Sequence, residues 1–144
     1  MPTSVASAAA ARGLSPVSSN GGAPVRAPSA AIVDAASGAI RGRIALANVV
    51  RGAWENATVG YFVDLDAGGR GFGKEAVGLV LQFAFGPCRL HRVQAAVMPK
   101  NARSRRVLEK NGFRHEGFSP RYLRLDGEWR DHDLFAITVE EVRD

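Results

Sequence analysis

The run ATVGYFVDLDAGGRGFGKEAVGLVLQFAFGPCRLHRVQAAVM, residues 57–98, limits what this chain can fold into more than any other segment. Its opening, ATVGYFVD, is rich in β-branched and aromatic residues and predicts a strand. FGKEAVGLVLQFAF places Val77, Val80, Leu81 and Ala84 at helical spacing, with further apolar residues that predict burial on more than one side. Gly86-Pro87 ends that helix, and HRVQAAVM predicts the next strand. Two strands joined by a helical crossover must lie parallel. The chain therefore contains a parallel strand pair, with a glycine-rich loop where the first strand passes into the helix.

Around this unit the signals are those of antiparallel pairing. AAIVDAASGAIRGRIALANVV predicts two strands turning at Ser37-Gly38. After Pro99, Asn101 is placed to cap a short helix running to Lys110, and Asn111-Gly112 supplies its stop. RYLRLDGEWRDHDLFAITV predicts a hairpin, with Asp126-Gly127 suited to a type I′ turn. The expected class is α/β with a mixed sheet, without internal repeats. A length of 144 residues and a hydrophobic fraction of 46% suffice for one ordinary core.

Residues 1–28 differ in kind: Ala, Ser, Gly, Pro and Val dominate, and the first acid is Asp34. We read them as a disordered tail and residues 29–144 as the folded domain. Acid-poor starts also occur in transit peptides, but no dense arginine pattern or amphipathic helix accompanies this one. No run reaches the ~18 apolar residues of a transmembrane helix. Cys88 is the only cysteine, so no intrachain disulfide forms; a cytoplasmic protein with a buried thiol is expected. His91, His115 and His132 lack metal-ligand spacing among themselves or with Cys88, and no metal is expected. The net charge of +5 calls for an anionic partner, a phosphate-rich cofactor or a nucleic acid. No aromatic-basic platform for single strands is evident.

The glycine loop narrows the choice. From Gly68 it reads G-x-x-x-x-G-K, but Glu75 stands where a P-loop needs a hydroxyl for magnesium. From Gly69 it reads G-x-G, but Lys74 stands where a dinucleotide fingerprint has its third glycine, and the next strand ends in Met98-Pro99 without an acid for a ribose. Alternate glycines at 69, 71 and 73 nonetheless let backbone approach a phosphate, with the next helix start pointing amides at it and Arg70 and Lys74 nearby. Such a loop suits a pyrophosphate held without metal, as in coenzyme A.

At this point the sequence resembles the GNAT N-acetyltransferases, and within them the RimJ/RimL-like ribosomal-protein-alanine N-acetyltransferases. The resemblance rests on VVRGAWENATVGYFVD, GGRGFGKEAV, LHRVQAAVMPKNARSRRVLEKNGF and YLRLDGEWRDHDLFAIT, in that order. It implies the acyl-CoA N-acyltransferase fold and acetyl-CoA as co-substrate. It assigns the pyrophosphate to Gly69, Arg70, Gly71, Phe72, Gly73 and Lys74, and the pantetheine arm to the backbone of Phe62 and Val63. It adds a cofactor contact from Asn101 and a proton for the departing thiolate from Ser104, which otherwise reads as a serine with a local helix-start hydrogen bond. The family's loop opens with Gln or Arg, where this chain has Gly68. Tyrosine and glutamate positions that serve as acid and base in other members are Leu108 and Ala96 here. Relatives begin with a strand and two helices that nothing in residues 1–28 resembles, so the resemblance implies an N-terminally incomplete form.

The implied reaction is acetyl transfer to an amine. An N-terminal α-amine, with a pKa of about 7.7–8.0 against about 10.4 for lysine, loses its proton near neutrality for roughly 3–4 kcal/mol less, and so needs little help from a base. Glu55, Glu116, Tyr122 and Asp131 are the remaining proton acceptors, and Trp54, Tyr122 and Trp129 are aromatic candidates for an acceptor cleft. Arg103, Arg105, Arg106 and Lys110 form a basic helix that is either solvated or meets the 3′-phosphate of CoA. Three readings stay open: a protein N-terminal acetyltransferase, whose contact with nucleic acid would come only through a ribosomal substrate; a small-amine acetyltransferase; and a truncated CoA-binding module without catalysis.

Overall fold

The computed structural model describes residues 28–64 and 71–142. Residues 1–27, nearly all of the expected tail, lie outside the described residues, as do Gly68, Gly69 and Arg70 of the glycine loop. In chain order the elements are β1 (Ser29–Val33), β2 (Ile40–Val50), β3 (Asn56–Val63), α1 (Phe72–Phe85), β4 (Arg92–Val97), α2 (Ala102–Lys110), β5 (Arg114–Leu125) and β6 (Glu128–Thr138). A short 3-10 turn, Val139–Glu141, follows.

Local chemistry accounts for the turns. Between β1 and β2, Asp34 accepts from the amide of Ala36 at 2.9 Å and its carbonyl from Gly38 at 2.7 Å, with Gly38 at φ 76°. Between β5 and β6, Asp126 and Gly127 both have positive φ, 52° and 79°, as a type I′ turn requires. Asn101 caps α2, its Oδ1 accepting from the amide of Ser104 at 3.1 Å. Gly112 follows at φ 90°, the left-handed exit that stops the helix.

One six-stranded sheet results, in the order β1-β2-β3-β4-β6-β5. Every neighbouring pair is antiparallel except β3 and β4. That parallel seam is short: Asn56, Ala57 and Thr58 pair with Arg92, Val93 and Gln94, and the ladder ends there. Beyond it β3 stays with β2 as far as Val63↔Gly42, while β4 stays with β6 as far as Val97↔Asp133. The seam is pinned where the strands begin, because the carbonyl of Glu55 accepts from the amides of both His91 and Arg92, at 2.8 and 3.1 Å.

Both helices cover one face of the sheet. Ala57 and Val59 of β3 and Val93, Ala95 and Val97 of β4 alternate inward and meet Phe72, Val77 and Val80 of α1 and Leu108 of α2 in a single core. Tyr61, on the same side of β3, reaches α2 directly. α1 buries a stripe at positions 72, 73, 76, 77, 80, 81 and 84, and Leu79, Phe83 and Phe85 pack on the core's margin. Leu108 is the only fully buried residue of α2 and, with half-buried Val107 beside it, packs that helix on the core. Leu108→Ala is expected to cost about 2–5 kcal/mol in a urea titration. A loss below about 1 kcal/mol would mean that α2 is held mainly by polar contacts.

Candidate functional site

A cleft opens beside β3 past the point where its pairing with β4 ends. Along residues 59–63, β3 is bonded to β2 on one edge, and no described strand pairs with the other. A cavity of about 500 Å³ opens there, walled by Tyr61, Phe62 and Val63, by the start of α1 and by one side of α2. Phe62, Val63, Gly71, Phe72, Gly73, Lys74, Asn101 and Ser104 all border it, so the cleft gathers every described residue that the resemblance singled out. Gly69 and Arg70 lie outside the described residues.

Two glycines shape the floor. Gly71, the residue that opens α1, sits at φ 82°, where a Cβ would be strained, and no side chain caps the helix. The first turn of α1 is a helix end of positive potential. A Cβ on Gly73 would lie 3.4 Å from Val107 Cγ2 and 3.6 Å from Val63 Cγ2, so this backbone is already close to both walls. Asn111 holds the two helices together from the far side. Its Nδ2 donates to the carbonyl of Lys74 at 3.1 Å and to that of Val107 at 3.0 Å.

The basic residues of α2 divide. Arg103, Arg106 and Lys110, one turn apart, border the cleft together with Lys74. Arg105 turns away to the carboxylate of Asp133, which also bonds His115 Nε2 at 2.9 Å. This arrangement leaves several cations around a helix start, the electrostatics of an anion site.

Ser104 has a neighbour that sequence reasoning missed. The Tyr61 hydroxyl lies 2.7 Å from Ser104 Oγ and 3.2 Å from the Ser104 carbonyl. Burial raises the Tyr61 phenol above its ordinary value, and the Ser104 hydrogen bond pulls it partly back, so it stays protonated near neutrality. The only sequence signal was its parity with Ala57 and Val59, which aims it at the helices. Leu108, at the position of the tyrosine acid of other members, is fully buried core.

On the opposite face of the sheet, a second cavity of about 420 Å³ is bordered by Trp54, Asn56, Thr58, Gln94, Glu116 and Tyr122, among others. Trp129 is exposed and outside it. The carboxylates proposed as proton acceptors are already engaged. Glu116 accepts from both terminal nitrogens of Arg92, at 2.7 and 2.9 Å, and that bond holds it below the ordinary carboxylate range. Glu55 accepts from Arg51 at 2.9 Å and from the amide of Gly52 at 2.8 Å, and is lowered first by Arg51. Asp131 accepts from the amide of Arg121 at 2.9 Å. His91 pairs with Glu140, and buried His132 contacts the Arg130 carbonyl through Nδ1. Among the described residues no three His, Cys, Asp or Glu side chains cluster in a way that could hold a metal. No helix of the described residues is long and apolar enough to cross a membrane.

The model of the acetyltransferase (GNAT) domain matches residues 6–114. The chain belongs to the GNAT acetyltransferase family. Among curated GNAT relatives, the probable N-acetyltransferase YjcK of Bacillus subtilis is 45% identical over 96 residues, covering 67% of this chain and 53% of that protein. The [ribosomal protein uS5]-alanine N-acetyltransferase of Escherichia coli is 37% identical over 94 residues, 65% of this chain and 48% of that protein. The chain thus spans about half the length of these curated relatives. Among solved GNAT structures, Mycobacterium smegmatis RimJ in complex with CoA-disulfide superposes with a TM-score of 0.78 at 31% identity, covering 98% of this chain and 82% of that one. The ribosomal-protein-S5-alanine acetyltransferase of Vibrio fischeri gives 0.75 at 31%, covering 82% and 64%.

The Glu116–Arg92 pair yields a pH prediction. A carboxylate lowered in the fold stabilises the protein above its unfolded value, near 4.5 here, and that stability is lost as pH falls through the lower folded value. Glu116→Gln is therefore expected to be less stable by about 0.5–1 kcal/mol at neutral pH, the pair being partly solvated, with the gap closing below about pH 4. Urea titrations of both proteins across the acid range measure this, and a gap that stays constant with pH would contradict the assignment.

Proposed function

We propose that this chain is an acetyl-CoA-dependent N-acetyltransferase that moves the acetyl group onto an amine, most specifically the N-terminal α-amine of a ribosomal protein. The observation that carries the reading is the cleft between β3 and the two helices, where the start of α1 at Gly71 meets Lys74, Arg103, Arg106 and Lys110. In this reading the substrate's pyrophosphate rests on the loop 69–74 and the start of α1. Its 3′-phosphate meets the cations of α2, and its pantetheine arm lies along the open edge of β3 at Phe62 and Val63, with Asn101 beside it. These residues fit such a ligand chemically: backbone amides and arginines for phosphate, and an unpaired strand edge for an amide-bearing arm. The similar M. smegmatis RimJ is in complex with CoA-disulfide, which supports a ligand of the coenzyme A type for this chain.

The amine attacks the thioester carbonyl, the C–N bond forms, the C–S bond breaks, and the electron pair stays on sulfur. Ser104, bordering the cleft, supplies a proton to that sulfur, and the proton lost by the attacking nitrogen returns through water to restore the serine hydroxyl. Glu55, Glu116 and Asp131 are committed to internal partners, so none of these three stands ready as a strong base. That suits an α-amine, which is substantially neutral near physiological pH, better than a lysine side chain. The names of the E. coli and V. fischeri relatives support a ribosomal-protein acceptor. The second cavity, with Trp54 and Tyr122 at its rim, is the approach assigned to it.

Calorimetry with acetyl-CoA tests the cleft. The triple variant Arg103→Ala/Arg106→Ala/Lys110→Ala is expected to bind about 10–100-fold more weakly and with a shallower salt dependence. Thiol release with peptides beginning in Ala, Ser or Thr, compared with a polyamine, then reads the acceptor. Binding without release by any amine would leave a CoA-binding module and overturn acetyl transfer.

A further inference from the structure

We infer that Tyr61 is the positioning residue for Ser104, its hydroxyl turning the serine hydrogen toward the cleft. The inference rests on the proposed reading of Ser104 as proton donor and adds a second residue to it.

The geometry is specific. Tyr61 is on β3 and Ser104 on α2, 43 positions later, and their hydroxyl oxygens are 2.7 Å apart. The single phenolic hydrogen has two acceptors within reach, Ser104 Oγ and, at 3.2 Å, the Ser104 carbonyl. A serine in a helix commonly returns its hydrogen to a carbonyl one turn back. When Tyr61 donates to Oγ instead, the serine hydrogen is directed away from the phenol, and Oγ keeps a hydrogen-bond donor after it gives up its own. The pair can therefore exchange between two hydroxyl arrangements without leaving either oxygen bare. Ser104 is fixed independently, because its amide donates to Asn101 Oδ1 at 3.1 Å. The Tyr61 ring is held too, packed half-buried against the core. Only the hydroxyl hydrogens remain to choose a direction.

Tyr61→Phe keeps the ring and removes the hydroxyl, so its effect separates positioning from packing. With acetyl-CoA and an Ala-initiated peptide, Tyr61→Phe is expected to lower kcat about tenfold with KM for acetyl-CoA within about twofold. Ser104→Ala should lose at least as much, and the double variant should be no worse than Ser104→Ala alone, the non-additivity of two groups acting as a unit. Wild-type kcat in Tyr61→Phe, or losses that multiply, would overturn the inference. A second readout needs no turnover. The chain has two tyrosines, so in a Tyr122→Phe background the phenolate absorbance reports Tyr61 alone. Its titration midpoint should move to higher pH on Ser104→Ala, because the hydrogen bond favouring the phenolate is gone. An unmoved midpoint overturns the inference even in an inactive protein. A moved midpoint in a protein that transfers acetyl to no amine overturns the proposed function and the positioning role with it. A moved midpoint in an active enzyme with unaffected Tyr61→Phe overturns the positioning role alone.

Discussion

The short parallel seam between β3 and β4 governs the rest of the molecule. Three residue pairs join the strands at their start, where the Glu55 carbonyl binds two successive amides of the β4 entrance. After Gln94 the two strands follow different partners, β3 along β2 and β4 along β6. Backbone groups on the open edge of β3 are consequently left to a ligand or water, at the place where α1 begins. A continuous ladder would satisfy those groups.

The two helices exploit that opening differently. α1 contributes backbone: a left-handed Gly71, a close-packed Gly73 and the positive end of its dipole. α2 contributes side chains, and it can do so because only Leu108 and half-buried Val107 turn to the core. Asp133 draws Arg105 to the far side of α2, which leaves Arg103, Arg106 and Lys110 to the cleft. Asn111 then ties the end of α2 to the start of α1, joining the glycine-bearing helix start to the cation-bearing helix.

Features set by near neighbours were legible in the residues themselves. The Asp126-Gly127 turn, the Asn101 cap, the bounds of α1 and the parallel crossover all follow from spacings of a few residues or from chain-reach rules, and the structure has them. So was membership of the GNAT family, because its motifs occur in a fixed order along the chain. The polar partners were not legible. Nothing near Ser104 in sequence names Tyr61, nothing near Arg105 separates it from Arg106, and nothing near Glu116 announces Arg92. Each of those pairs spans 24 to 43 positions and depends on strand register.

By itself the sequence determined the elements, their order, the crossover and the glycine-lined helix start, because these depend on local dihedral preference, side-chain periodicity and capping. Only the tertiary structure decided where the parallel seam ends, which cations reach the cleft, which carboxylates are consumed by arginines and which hydroxyl stands behind Ser104. Those outcomes turn on distances of a few ångströms between distant segments. Such distances come from how two strands part and how two helices pack, which no single stretch of residues encodes.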